Sequence, residues 1–183
     1  MKNYVVAVAA AVILLCLSVQ ESQAEPYRYG GWKRTSVGLR FGWNGGPNGL
    51  TIRRTFAPGQ AFEVVAGYNP KYGGGEDLPF LRGGNSFLGI SYAPHLLMSN
   101  GNVGVALVGN VGVRANYHHY RYFNRPQWGP KITPEVIAGG GLQVEFSEKV
   151  ELFADLHLKY FSSPYNAYTA GMESGAGIRF TLN

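Results

Sequence analysis

The sequence of 183 residues has one cysteine, Cys16, which lies in an apolar run near the N-terminus. Beyond that run there is no thiol for a disulfide or for a pair of cysteine metal ligands. No later apolar stretch reaches the roughly 20 residues that a membrane helix needs. Charged residues make up only 15% of the chain, and the net charge of +5 is spread out without a basic run. Nucleic acid is therefore not an expected partner.

The N-terminus has the pattern of an export signal. Lys2 precedes an apolar run from Val5 to Leu17, and Ser22-Gln23-Ala24 offers a small-residue cleavage site. This pattern predicts a secretory signal peptide over residues 1–24. We expect residues 25–34 to form a short N-terminal periplasmic segment and residues 35–183 to form one domain.

What the chain has in abundance is alternation of apolar residues with small or charged ones. A period of two predicts strands whose two faces meet unlike media. Along the best example, Val150, Leu152 and Ala154 alternate with Glu151 and Asp155. Eight such strands are predicted: Ser36–Trp43, Leu50–Phe56, Phe62–Tyr68, Ser86–Ala93, Val103–Ala115, Val136–Phe146, Val150–Tyr160 and Ala170–Leu182.

The links between these strands alternate in length. Those after strands two, four and six are short, whereas the links Asn69–Asn85 and Asn116–Pro130 are long. Such sorting is typical of outer-membrane barrels, which have tight periplasmic turns and larger external loops. Aromatic residues fall at both ends of the strands, as expected of interfacial belts. The upper belt would hold Trp43, Tyr68, Tyr117, Tyr160, Phe161 and Tyr168, and the lower belt Phe56, Phe62, Phe146 and Phe180. We therefore predict an all-β fold, a closed eight-stranded antiparallel up-and-down transmembrane barrel with meander topology.

The polar faces of the strands carry a balanced set of charges. A barrel of eight strands is only wide enough for its interior to be filled by side chains, and buried charges must be paired. The pattern therefore predicts an internal salt-bridge network that plugs the lumen, with inward glycines making room for long side chains. Its positive members would be Arg40, Arg53, Arg114, His157, Lys159 and Arg179, and its negative members Glu63, Glu135, Glu145, Glu151, Asp155 and Glu173.

The signal peptide, amphipathic strands, loop alternation and C-terminal strand resemble small outer-membrane barrels of the outer-membrane protein A and X type, over about residues 34–183. The segments Ser36–Trp43, Gly49–Arg54 and Ala61–Tyr68 also resemble uncharacterised outer-membrane barrels of Bacteroidetes-type bacteria. The resemblance implies residence in the outer membrane of a Gram-negative bacterium, contact with its lipid, and assembly by the barrel assembly machinery. Such chains typically end on an aromatic residue that this machinery reads, and Phe180 is the candidate here.

Motifs for catalysis are scarce. There is no Gly-x-Ser-x-Gly, P-loop or His-Glu-x-x-His pattern. Asp155 and His157 share one strand face at a spacing that could orient an imidazole, but no serine lies beside His157 on its strand. We therefore expect no enzymatic activity, no cofactor and no metal site.

The long links are the candidate interaction regions. His118, His119, Tyr120, Tyr122 and Trp128 lie in the link Asn116–Pro130, which we expect to be the third external loop, with the histidines at its apex. Because aromatic residues are enriched at binding hot spots, this loop and Asn69–Asn85 are candidates for binding a surface ligand.

The leading hypothesis is a non-enzymatic envelope or surface-interaction protein. One alternative is an outer-membrane lipid-modifying enzyme, similar to an acyl hydrolase, that depends on His157. The other alternative is a soluble exported barrel that binds an apolar ligand. Its charges would face outward, and its inward residues would be Val105, Leu107, Leu142, Leu152 and Leu156.

Overall fold

The computed structural model describes residues 34–43, 46–72, 82–100, 103–120, 132–147, 149–161 and 169–182. None of these residues belongs to a helix long and apolar enough to cross a membrane. They form nine strands: β1 (Thr35–Trp43), β2 (Gly49–Ala57), β3 (Gln60–Tyr72), β4 (Arg82–Tyr92), β5 (His95–Asn100), β6 (Gly104–Tyr120), β7 (Ile132–Ser147), β8 (Val150–Phe161) and β9 (Thr169–Leu182).

The strands close into a barrel. Strands adjacent in chain order pair antiparallel, except β4 with β5, and β9 pairs with β1 along the register Thr35↔Leu182 to Trp43↔Ser174. Both β4 and β5 pair with β6, so together they are one barrel strand interrupted at Ala93 and Pro94. Proline cannot donate to a strand ladder, which explains the interruption. The predicted closed eight-stranded antiparallel meander is therefore confirmed.

The alternation of the sequence corresponds to two environments. Arg40 is 3% exposed, whereas its neighbours Leu39 and Phe41 are 48% and 56% exposed. Successive side chains of a strand point to opposite faces of the sheet. The charged face therefore lines the interior of the barrel, and the apolar face forms its outer surface.

Several strands are longer than predicted, and this shortens the two long links. Asn69–Tyr72 belongs to β3 and Arg82–Asn85 to β4, so the predicted loop Asn69–Asn85 is wrong at both ends. The short link predicted after the fourth strand is also wrong in part, because His95–Asn100 forms β5. Alternation of apolar residues fades where both faces of a strand are polar, although the backbone ladder continues there.

Glycine is required at two kinds of position. Gly59, in the turn between β2 and β3, has a φ of 65°, which side-chain-bearing residues rarely adopt. Gly177 lies on the inner face of β9, where an added Cβ would be 2.5 Å from the Phe153 ring and 2.1 Å from the Leu39 carbonyl oxygen. Such glycines leave room inside the barrel for large side chains.

Aromatic residues do lie outward at both ends of the barrel. At the lower end, where β1 begins and β9 ends, the rings of Phe56 and Phe62 stack with centroids 4.9 Å apart. Trp43 and Tyr68 are exposed at the other end, which we call the upper end. Phe161 was expected in the upper belt but belongs to the inner face of β8. Its ring lies 5.7 Å from the Lys159 ammonium. Tyr168 lies outside the described residues.

The charged interior as the candidate functional site

The twelve ionisable residues predicted to line the lumen all lie on the inner faces of the strands. Ten of them are buried, and the side chains of Asp155 and Lys159 are 13% and 15% exposed. Their ion pairs fall into two groups, one at each end of the barrel. We call these the lower cluster and the upper cluster.

The lower cluster consists of three arginines and three glutamates. Arg179 lies at its centre, with Nη2 2.7 Å from Glu63 Oε1 and Nη1 2.8 Å from Glu151 Oε1. Arg34 binds Glu145 and Glu151 at 3.1 and 3.3 Å. The positive and negative charges therefore balance within this cluster, whose members are Arg34, Arg53, Arg179, Glu63, Glu145 and Glu151.

Neutral side chains complete the lower cluster. Gln143 accepts a hydrogen bond from Arg53 Nη1 at 2.7 Å and donates to Glu145 and Glu151 at 2.9 and 3.0 Å. Thr51 donates to Glu63 Oε1 at 2.8 Å. Glu145 is thereby bonded at both of its oxygens, whereas Glu63 Oε1 and Glu151 Oε2 each accept from an arginine and from a neutral donor. Hydrogen bonds of this kind are what a buried charge requires.

The upper cluster has the same balance of charges. Arg114 lies between two carboxylates, with Nε 2.8 Å from Glu135 Oε2 and Nη1 3.0 Å from Glu173 Oε1. Lys159 Nζ lies 3.7 Å from Glu173 Oε2. Arg40 forms a two-point pair with Asp155, in which Nη2 donates to Oδ1 at 2.6 Å. The members are therefore Arg40, Arg114, Lys159, Glu135, Asp155 and Glu173, together with His157.

Phe153 lies between the two clusters. Arg179 Cζ is 3.8 Å from the centroid of its ring, and Arg40 Cζ approaches the same ring from the upper cluster at 6.0 Å. Phe153 is 7% exposed, and the residues on either side of it along the inner face of β8, Glu151 and Asp155, are both charged. Cations are attracted to the face of an aromatic ring, so this position is electrostatically favourable.

Several interior residues were not among the predicted site residues. Arg34 was assigned to the N-terminal segment, yet its guanidinium reaches the lower cluster and also donates to Thr181 Oγ1 at 2.9 Å. Gln143 and Phe153 have the inward parity of their strands, so alternation alone could have identified them. His95, which is 3% exposed and contacts Arg53 at 3.1 Å, follows the strand interruption, and no alternation pointed to it.

The arrangement around His157 does not resemble a catalytic triad. Its Nδ1 lies 3.6 Å from Glu173 Oε1 and 3.8 Å from Asp155 Oδ1, so acids are present. Neither ring nitrogen has a hydrogen-bond partner among the described residues. Ser91, a buried serine on the inner face of β4, donates its hydroxyl to the Glu63 carbonyl oxygen at 3.5 Å and not to His157. No group of side chains suited to a metal ion occurs within the described part of the chain.

The loop candidates are placed only in part. His118, His119 and Tyr120 belong to β6, where they pair with Asn85, Gly84 and Gly83 of β4. Their predicted position at the apex of a loop is therefore wrong, since the β4–β6 ladder continues past the last apolar residue. Tyr122 and Trp128 lie outside the described residues.

The fold is similar to that of solved outer-membrane barrels. The N-terminal β-barrel domain of Pseudomonas aeruginosa OprF matches with a TM-score of 0.59 and 15% identity, over 84% of this chain and all of that domain. Neisserial surface protein A (NspA) matches with a TM-score of 0.53 and 10% identity, over 81% of this chain and 95% of that one. No protein-family model matches the chain, and neither does any curated protein sequence.

Proposed function

We propose that this protein is an integral barrel of the Gram-negative outer membrane, with lipid around its apolar outer face. The observation that carries the proposal is its inverted polarity. Arg179 and Glu151 are each 1% exposed, whereas Leu142 and Leu156 are each 50% exposed. A water-soluble barrel would place leucines inside and charges outside, which is the reverse of what is found. Membrane barrels have an apolar outer band and a polar interior.

The backbone and the aromatic residues support the same placement. The sheet closes on itself because β9 pairs with β1 and β4 pairs with β6, and a closed barrel satisfies its own hydrogen bonds in lipid. The strands β6 to β9 have 12 to 17 residues, more than the 9–11 or so that cross a bilayer. Outward aromatic residues at both ends match the interfaces of a bilayer.

We further propose that the lumen is closed. The two charge clusters occupy the two ends of the interior, and within each cluster guanidinium groups contact carboxylate groups directly. A cavity at the lower end, lined by Arg34, His95 and Glu145 among others, measures only about 10 Å³. This is near the minimum for one water molecule. The barrel would therefore act as a membrane-anchored platform rather than as a channel.

The role that fits a closed platform is contact with the exterior or with the envelope, without enzymatic activity. Its partners would be outer-membrane lipid, the barrel assembly machinery, and a surface ligand. The ligand would bind to the connections that join strands at the upper end. The connections β3–β4 and β6–β7 are the regions we propose for that ligand, and Tyr120, Tyr122 and Trp128 are the first residues to replace. If all three alanine variants keep wild-type adhesion or ligand binding, this assignment of the loops is wrong.

Membrane residence is tested by fractionation of cells that express the full chain. We expect the protein in the outer-membrane fraction, with release only by detergent. The unheated protein should migrate differently from the heated one on a gel, because a closed barrel resists detergent until it is boiled. Release into the periplasmic fraction without detergent would overturn the proposal.

A further inference from the structure

The ion pairs of the interior separate into two sets. Each ion pair described above joins residues of the same cluster, whether lower or upper. Each cluster also has three formal positive and three formal negative charges when His157 is neutral. Removing one cluster therefore leaves no uncompensated charge in the other, so that each can exist independently.

A small cavity lies between the clusters, and polar side chains form part of its lining. It measures about 20 Å³ and is lined by Arg179 and Glu63 from below, by Asp155 and His157 from above, and by Asn110 from the side. Asn110 is 7% exposed and His157 is 3% exposed. The side-chain oxygen of Asn110 and both ring nitrogens of His157 have no hydrogen-bond partner among the described residues. A buried water needs two to four polar partners and about this much room.

We infer that the lumen is closed twice, by two independent charge clusters, and that the cavity between them is a water-binding site held by Asn110 and His157. The inference rests on the proposed closed membrane barrel. Water satisfies the amide oxygen and the imidazole, which would otherwise be costly to bury. The formal charges of Arg179, Glu63, Asp155 and a second arginine, Arg53, cancel around the cavity, which favours water over an ion.

The experiment is the conductance of planar lipid bilayers that contain the full-length protein. The lower cluster is weakened by Arg179→Ser with Glu151→Ser, and the upper cluster by Arg114→Ser with Glu173→Ser. Each pair leaves the net charge unchanged and removes bulk from the lumen. Before the measurement, a difference in gel migration between unheated and heated protein shows which variants have folded into a barrel.

Three results distinguish the possibilities. We expect wild type and both double variants to show no events above those of a protein-free bilayer, and the quadruple variant to conduct. If either double variant conducts as much as the quadruple variant, one cluster alone closes the lumen and the inference is wrong. If the wild type itself conducts, the proposed closure fails, which is a separate outcome.

A second measurement keeps the inference testable if the quadruple variant does not fold. Asn110→Cys, in a background with Cys16→Ser, places the only thiol in the cavity. In oriented proteoliposomes we expect small thiol reagents to be blocked from both sides in the otherwise intact protein. Weakening the upper cluster should admit reagent from the external side only, and weakening the lower cluster from the periplasmic side only. Labelling from either side with both clusters intact would contradict a double closure.

Discussion

Glu151 and Leu152 are adjacent in β8, yet Glu151 is 1% exposed and Leu152 is 41% exposed. The glutamate forms ion pairs with Arg179 and Arg34, accepts a hydrogen bond from Gln143, and lies in a cluster whose members fix each other's positions. The leucine faces outward, where the proposed lipid would require only an apolar side chain. The inner face therefore depends on the identity of its residues, whereas the outer face depends on their polarity. Substitutions should separate these two kinds of dependence.

The largest effect should follow the loss of one central charge on the inner face. Arg179→Met leaves Glu63 and Glu151 buried without that partner. Breaking a buried ion pair on one side costs about 3–5 kcal/mol. Urea unfolding in lipid vesicles measures the difference. Adding Glu63→Gln and Glu151→Gln to Arg179→Met should recover part of the loss. A single variant as stable as wild type would show that the network is not what stabilises the interior.

A new charge on the outer face should have the next largest effect. Leu156 lies at the middle of β8 and is 50% exposed. If lipid surrounds it, Leu156→Arg should cost about 2–4 kcal/mol, because arginine is poorly tolerated at the bilayer midplane. The matched control is Leu182→Arg near the lower end, where a cost of about 0–1 kcal/mol is expected. Equal costs at the two positions would argue against lipid on this face.

Added volume on the inner face should have a smaller effect. Gly177→Ala places a Cβ against the Phe153 ring and the Leu39 carbonyl, so the chain must shift. Overpacking of this kind costs about 1–3 kcal/mol. Ala176→Val, one residue away on the outer face, should change the free energy of unfolding little. If Ala176→Val lowers the free energy of unfolding more than Gly177→Ala does, the inner face is not the more tightly packed of the two.

The smallest effect should come from the one arginine on the apolar face of β2. Arg54 is exposed and donates a hydrogen bond to Thr35 Oγ1 near the lower end of the barrel. Exposed polar contacts of this kind contribute about 0–1 kcal/mol. Arg54→Gln should therefore unfold almost as wild type does in urea. A loss comparable to that of Arg179→Met would mean that Arg54 has a structural role the contacts do not reveal.

Alternation allowed most of the fold to be predicted because each strand has one face toward the interior of the barrel and one face outward. It assigns Arg40, Glu151 and Arg179 to the inner face, where each is at most 3% exposed, but it could not predict their ion pairs. Arg34 binds Glu145 across 111 positions of sequence, and that contact depends on the stagger of the whole barrel. Sequence periodicity contains no information on stagger.

The errors at the upper ends of the strands have a common physical origin. Where a strand leaves the apolar band, both of its faces are polar and the period of two disappears. His118–Tyr120 and Asn69–Tyr72 were therefore interpreted as loop although they belong to β6 and β3. β5 was missed for a different reason: the strand ladder is interrupted at Pro94, and the predicted fourth strand was ended before it. Phe161 was placed in a belt by its aromatic character, although its parity is that of Lys159 and indicates the inner face.

We propose that the apolar stripe faces lipid and that the charged stripe faces the lumen. The most direct test is nitroxide labelling of single cysteines at Ala154, Asp155, Leu156, His157 and Leu158, in the Cys16→Ser background and in lipid vesicles. Collisions with oxygen, which concentrates in lipid, should alternate with a period of two and be most frequent at 154, 156 and 158. Maxima at 155 and 157, or no alternation, would contradict the account.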